Sequence, residues 1–406
     1  MKNTLNFNSQ KAFKILVLLV WIQTILMSYI RAVIMRIPII GNYPDALIAL
    51  VYITLIVISL KAIRIHKKDF LIMLFVVLCF ILQWLFYQDR VDYLDRYSAD
   101  FLLGILPLYF VGTSMGFSGE RDGIIRQMYL LSIITIIASI IYRYLFGTPM
   151  DEIASLYEGS MDQAYKLLPH CCLVAFYAIK RTNIVNVALT VIGGIYLLML
   201  GTRGAALLYL ILIALLFIIG NRSKWFIARI VAVFGGITVF ISSSWYDAAI
   251  LWFYQKAQQL GLSVRIFDKL LSGSASQSSG RDVIREKLFA AIRENPFFGH
   301  GLCSDRIIAN SYAHNVAIEL WVEFGVVIGS ILLLACIVIL FKGYLSADSD
   351  EMKGLVLALI FSCFLKLFLS GSYLDERLLF FLLGLCVANM RRKKDVKETA
   401  YEETLQ

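Results

Sequence analysis

Residues 313–341 read AHNVAIELWVEFGVVIGSILLLACIVILF. From Phe324 to Phe341 no charged residue interrupts the run. A bilayer core takes about 20 consecutive apolar residues per helical span, so the stretch predicts a membrane helix over 315–341. Its entrance is different. Asn315, Glu319 and Glu323 recur every four residues and form one polar stripe on that helix. Carboxylates are costly in hydrocarbon and are usually functional there. His314 stands just before them, where substrate, water and bilayer meet, with an ordinary pKa of about 6.5 suited to proton transfer near neutrality. The competing reading is that the two glutamates pair with Arg or Lys and hold helices together.

Outward from this stretch the chain repeats the pattern. Of 406 residues, 59% are hydrophobic and 17% charged, with a mean hydropathy of +0.75. An ordinary soluble domain carries about 25% charge, so a soluble globular enzyme is excluded. Unenriched Gly and Pro exclude a collagen repeat and disorder. Six of the seven Cys lie in apolar stretches, only Cys303 lies in a polar loop, and no CxxC pair exists, so neither a zinc site nor a disulfide scaffold is indicated. Apolar runs predict further spans near 15–30, 45–60, 69–87, 101–117, 125–146, 165–179, 182–200, 204–219, 225–244, 354–370 and 376–390. The first resembles a signal peptide but ends at Met27–Arg31 without a small-residue cleavage site, and is read as a membrane helix. The fold class is therefore an all-α, polytopic integral membrane protein with about 12 transmembrane helices. Nine of them fill residues 1–244 and three fill 315–390, separated by a long loop over 245–314 and followed by a basic tail over 391–406.

The formal charge of +9 has a topological cause, so nucleic acid is not expected as a partner. With a cytoplasmic N-terminus, the inside segments hold Lys61, Arg64, Lys67, Lys68, Arg121, Arg126, Lys180, Arg181 and the Arg391–Lys394 run among others. They carry more than twice the basic residues of the short outside loops, which include Arg31, Arg36, Arg90 and Arg96. The positive-inside rule then keeps both termini in the cytoplasm and places the 245–314 loop outside.

That loop has structure written into it. Tyr246 to Leu271 mixes Ile250, Leu251, Trp252 and Phe253 with Lys256 and Arg265, as an interfacial helix does. Ser272 to Gly280 reads as a hinge. Ser279 with Asp282 predicts the N-cap of a second amphipathic helix ended by Asn295–Pro296, with Val283, Ile284, Leu288 and Ile292 on one face and Arg281 and Arg285 on another. Clustered guanidinium groups at a membrane surface suit the diphosphate of a lipid-linked anion. The alternative for this pair is a solvated face in which Asp282 and Glu286 are the partners. Arg203, in the tight Gly201–Gly204 turn, is a third candidate, its alternative being a boundary anchor. Asp89, Asp92 and Asp95 could bind a metal, but Arg90 and Arg96 are interleaved, and no metal is assigned. His170 is a possible supporting group near the outer end of span six.

The ordered set resembles the O-antigen polymerase and O-antigen ligase superfamily: GTRG at 201–204, a long outer loop with Gly280–Arg281 opening a helix, NPFFGHG at 295–301, and AHN at 313–315 heading an acidic-apolar helix. The likeness is strongest from about Gly201 to Gly329. It implies a GT-C-type membrane fold, undecaprenyl diphosphate-linked oligosaccharide as substrate, no cofactor and no metal. By that resemblance, His314 and Glu319 are catalytic, and Arg203, Arg281 and Arg285 bind the diphosphate. Asn315, Gly299, Gly301 and Glu323 support them. In the ligase pattern, His-Asn is followed after nine residues by GxxG. Here Gly325 and Gly329 form GxxxG, and no acceptor feature for lipid A core is visible, so the expectation is a polymerase, with the ligase as alternative. The expected setting is the outer face of the cytoplasmic membrane, among membrane lipids and beside a chain-length regulator and a flippase of the same pathway. The chain itself is not read as a flippase or transporter, because no two-half repeat is visible. A purely structural or adaptor protein would leave the outer Arg and His cluster without a purpose.

Overall fold

The computed structural model describes residues 7–34, 44–86, 94, 97–98, 100–116, 118–146, 156–181, 183–200, 202–219, 244–259 and 280–405. In chain order its helices are α1 (Phe7–Ile34), α2 (Pro44–Ser59), α3 (Lys67–Phe86), α4 (Pro107–Gly116), α5 (Arg121–Phe146), α6 (Leu156–Lys180) and α7 (Ile184–Met199). They continue with α8 (Arg203–Ile219), α9 (Ser244–Gln259), α10 (Arg281–Glu294), α11 (Ser304–Ala309), α12 (Val316–Leu345), α13 (Asp350–Leu359) and α14 (Arg377–Leu405). No strand occurs among the described residues. Each apolar run coincides with helix except 225–244, of which residues 225–243 lie beyond the described residues.

Lys67–Leu85, Arg121–Tyr142 and Val316–Leu345 are long and apolar enough to cross a bilayer. Asp100–Gly116, Ile184–Met199 and Arg203–Ile218 are shorter apolar helices. Their outward side chains are oily: Leu71, Phe75, Leu334 and Phe341 are all exposed. So much exposed apolar surface marks contact with lipid rather than water.

Three expected spans are interrupted, the tenth, 315–341, at Gly325. The fourth is a π-helical turn, Asp100–Ile105, followed by α4. Pro107 explains the break, because it has no N–H to extend the first segment yet is well placed at a helix start. The eleventh is α13 followed by π-helical Ile360–Phe364 and a tight 3-10 turn, Leu365–Phe368. The sixth is longer than expected and starts at Leu156, with Lys166 paired to Asp162 one turn earlier.

The chain forms two compact units. The first comprises Met1–Trp21, Asp45–Arg126 and Ser278–Gln406. Here α4 and α14 approach through small residues. A Cβ at Gly112 would collide with the Phe381 carbonyl, one at Gly116 with Ala388, and one at Gly384 with the Tyr109 carbonyl. Small residues of this kind let membrane helices pack backbone to backbone. At one end, Arg391 forks onto Asp69 through two 2.6 Å bonds, and the Tyr109 hydroxyl donates to the same carboxylate at 3.0 Å. Arg121 and Arg392 both pair with Asp348, while Ser349 caps α13 and donates to Asp122. The expected basic tail over 391–406 is thus a continuation of α14 as far as Leu405, anchored by Arg391.

The second unit comprises Ile22–Pro44 and Gln127–Gln277. Its core is α6, whose Leu167, Leu168, Cys171, Cys172, Leu173 and Val174 are buried. Gly193 and Gly194 on α7 admit the Cys171 thiol and the Tyr209 ring, and Tyr209 donates to the Thr190 carbonyl at 2.8 Å. His170 is buried, 3.2 Å from the Ser132 hydroxyl. On α9, Ile250 is buried while Leu251 and Trp252 are exposed.

Candidate functional site

The site is organised by a break in α12. Gly325 has φ 78 and ψ 163, outside helical geometry, so the residues before and after it form two helices meeting at a corner. The corner is sharp: a Cβ on Gly329 would lie 2.6 Å from the carbonyl oxygen of Leu320, and Trp321 donates to Ser330 at 3.0 Å. Breaking a helix strands backbone groups, and buried ones must be re-paired. The NPFFGHG segment does this. His300 N donates to Val322 O at 2.7 Å, Gly301 N to Glu323 O at 2.8 Å, and Val326 N to Pro296 O at 2.7 Å. Gly299 is required there twice over. Its φ is +68, and a Cβ would lie 2.5 Å from both Glu323 O and Gly325 N. Asn295 caps α10 and donates to Gly299 O at 2.6 Å, and His300 Nε2 lies 2.8 Å from Ala291 O.

Beneath the corner lies a buried ionic knot. Arg306 of α11 contacts Asp305 at 2.6 Å, Glu319 at 2.9 Å and Glu323 at 3.8 Å, with every one of these side chains withdrawn from the surface. Its Nη2 donates to Ser372 at 2.6 Å, Ser372 donates to Glu319, and the guanidinium lies 4.7 Å from the Tyr97 ring centre. Glu323 accepts from Cys303 N at 2.8 Å and from the Tyr373 hydroxyl. Asp305 Oδ2 accepts from Ala313 N at 2.9 Å. Oxygens of Asp305, Glu319 and Glu323 all lie within 4.8 Å of one another, close enough to hold a cation, but Arg306 already supplies positive charge to all three. Cys303, expected in a polar loop, is buried at the head of α11, and burial pushes its thiol pKa up.

Above the knot, α10 and the turn 311–315 bring three cationic or titratable groups together. His314 adopts φ 54, a left-handed conformation that costs an L-residue about 1–2 kcal/mol. A hydrogen bond to a charged group, such as that from Ala313 N to Asp305, contributes about 1.5–3 kcal/mol and offsets that strain. The His314 ring lies 3.9 Å from that of Tyr312, and its Nδ1 is buried with no hydrogen-bond partner among the described residues. Partial burial, then the positive charges of Arg281 and Arg285, hold the His314 pKa down at about 4. The imidazole is therefore neutral at ordinary pH and able to accept a proton.

Arg281 opens α10 and donates to Leu369 O at 2.7 Å. Its expected alternative partners, Asp282 and Glu286, are not the ones it takes. Arg285 is 44% exposed and only 4.0 Å from Asp282, a weak pair. Asn315 caps α12 through bonds from Ala317 N and Ile318 N, and donates to Phe368 O at 3.2 Å. The end of the interrupted 350–368 helix thus meets both Arg281 and Asn315.

Residues 188–334 match the family model described as O-antigen ligase. The superfamily recognised in the sequence is the one supported. No curated protein and no solved structure gives a significant match. The O-antigen ligase-like segment includes Arg203, Arg281, Arg285, His314, Asn315, Glu319 and Glu323, and stops short of Ser372 and Tyr373, which complete the knot.

Within this segment the structure groups Arg281, Arg285, His314 and Asn315 on one side of the knot. Gly299, Gly301, Glu319 and Glu323 build the corner and the knot itself. The two glutamates have Arg306 as their cation, the pairing weighed against a direct chemical role. Arg203 is the first residue of α8 in the second unit. Asp89, Asp92 and Asp95 lie outside the described residues, as does Ser279. The cap of α10 is Gly280, with φ 80 and no side-chain bond. Val283 is exposed, because the buried stripe of α10 runs through Leu288, Ala291 and Ile292 with Ile284, and residue 283 is turned by about 100° from 284. Sequence reading missed Asp305, Arg306, Ser372 and Tyr373. One signal pointed to them: two carboxylates on an apolar helix require a counter-cation, and Arg306 lies close by in sequence.

Proposed function

We propose that this chain is a membrane glycosyltransferase that polymerises surface polysaccharide from undecaprenyl diphosphate-linked oligosaccharide at the outer face of the cytoplasmic membrane. One observation carries the reading: Arg281 and Asn315, the neighbour of His314, bind the adjacent carbonyls of Leu369 and Phe368, which sets a guanidinium beside the histidine at the turn into α12. Arg281 and Arg285 would hold the donor diphosphate and stabilise the charge that grows on it. The acceptor sugar hydroxyl attacks the anomeric carbon, the bond from that carbon to the phosphate oxygen breaks, undecaprenyl diphosphate leaves with the bonding pair, and His314 takes the hydroxyl proton. Glu319 orients the site through Arg306 and Ser372 rather than by reaching substrate.

A second reading, ligase transfer to lipid A core, is favoured by the description of the matching family model. The glycine spacing does not separate the two, because Gly325 and Gly329 are both consumed by the backbone corner. Purified protein incubated with undecaprenyl diphosphate oligosaccharide alone should yield a product ladder. A single transfer step seen only when lipid A core is added would overturn the polymerase in favour of the ligase.

A further inference from the structure

The chain positions above do not by themselves explain what keeps His314 at a fixed distance from the arginines. The two groups arrive on separate segments. His314 rides on the turn 311–315, and Arg281 docks on Leu369 O at the start of the 369–373 loop. Neither segment is a helix interior, so each needs an external anchor. Both anchors come from one dipeptide. Asp305 accepts from Ala313 N, the residue before His314. Arg306 donates to Ser372, three residues beyond the carbonyl that Arg281 binds. Asp305 and Arg306 also bind each other at 2.6 Å, and Glu319 closes the circuit by accepting from Arg306, Ser372 and Tyr373 N.

We infer that Asp305 and Arg306 are the positioning residues of the transfer reaction, setting the gap between the His314 base and the Arg281 diphosphate clamp by tying both segments to one buried ion pair. This rests on the transferase reading of His314 and Arg281. Neither residue approaches substrate, since both are buried under the corner. Their effect is on alignment, where an error of about 1 Å costs about a hundredfold in rate.

The prediction is a split between rate and binding. Asp305→Asn leaves the side-chain volume but cannot accept from both Ala313 N and Arg306, and Arg306→Lys keeps the charge but loses the fork to Ser372. Polymer formation from undecaprenyl diphosphate oligosaccharide by purified protein should show kcat lowered at least tenfold in Asp305→Asn, and less in Arg306→Lys. KM should stay within about twofold of the parent, because Arg281 and Arg285 are untouched. Ser372→Ala, which removes only a hydroxyl, should show the same split at smaller size and serves as the deciding variant if either charged one fails to elute as a monodisperse species. An unchanged kcat in Ser372→Ala and in every folded charged variant, or a raised KM at unchanged kcat, overturns the inference. His314→Ala run beside them separates the two levels: if it alone is inactive, the transferase reading stands and the positioning role falls; if it is fully active, the reading beneath falls instead.

Discussion

His314 is depressed in pKa by its own partial burial first and by Arg281 and Arg285 second, with the Tyr312 ring against it. That gives a signed expectation. In kcat/KM, which reports free enzyme, the acid limb should fall near pH 4. Arg281→Ala removes one cation, so the His314 ring, titrated directly by NMR, should protonate at higher pH, toward the ordinary value of about 6.5. A titration that stays put or moves down would show that Arg281 does not act on His314. The stability linkage has the same direction. The unfolded chain binds the His314 proton at higher pH than the folded one, so this group's contribution is intact above about 6.5 and is lost as pH falls toward 4.

Arg306 shows where residue-level reading stops. Its partners stand 13 residues away at Glu319 and 66 away at Ser372, and no local spacing reveals such a contact. Asn315 was legible because capping is local: its carboxamide accepts from residues two and three places on. Removing one partner of a buried ion pair strands the others, so Arg306→Ala should destabilise the folded protein by about 3–5 kcal/mol. Thermal unfolding in detergent, compared with that of Ser372→Ala, reads this directly; equal midpoints would contradict the knot.

At the scale of elements, apolar periodicity found the helices and missed their breaks. Gly325 lies inside an unbroken apolar run, and nothing in hydropathy separates a glycine that bends a helix from one that packs it. The partner of the break, NPFFGHG, whose Gly299 and Gly301 were expected to support the site, carries the hydrogen bonds that a broken membrane helix must recover. Gly299→Ala should therefore be severe, because its φ is positive and the added Cβ would meet backbone at 2.5 Å. Gly280→Ala has the same sign of φ but open space around it, and should cost only the conformational term of about 1–2 kcal/mol. Yield of monodisperse protein from membranes should rank parent, Gly280→Ala, then Gly299→Ala. The reverse order of the two variants would sink the corner as described.

At the scale of the whole molecule, composition and charge sorting carried the class of fold further than any motif did. They predicted helices that expose oil outward, which α3 and α12 do. They also treated Arg391–Lys394 as a topological signal; in the fold Arg391 pairs with the buried Asp69. Chemistry was legible as an ordered set of residue types; its division into an Arg–His group and a buried ionic knot required the fold, because His314 and Asn315 of the one run directly into Glu319 of the other.

The central claim is that this Arg–His group performs glycosyl transfer. Its most direct measurement is the chain-length ladder formed from undecaprenyl diphosphate oligosaccharide by the parent protein, His314→Ala and Arg281→Ala, each verified as folded and membrane-inserted. The account predicts a ladder from the parent and only unextended substrate from the two variants; normal ladders from both variants would contradict it.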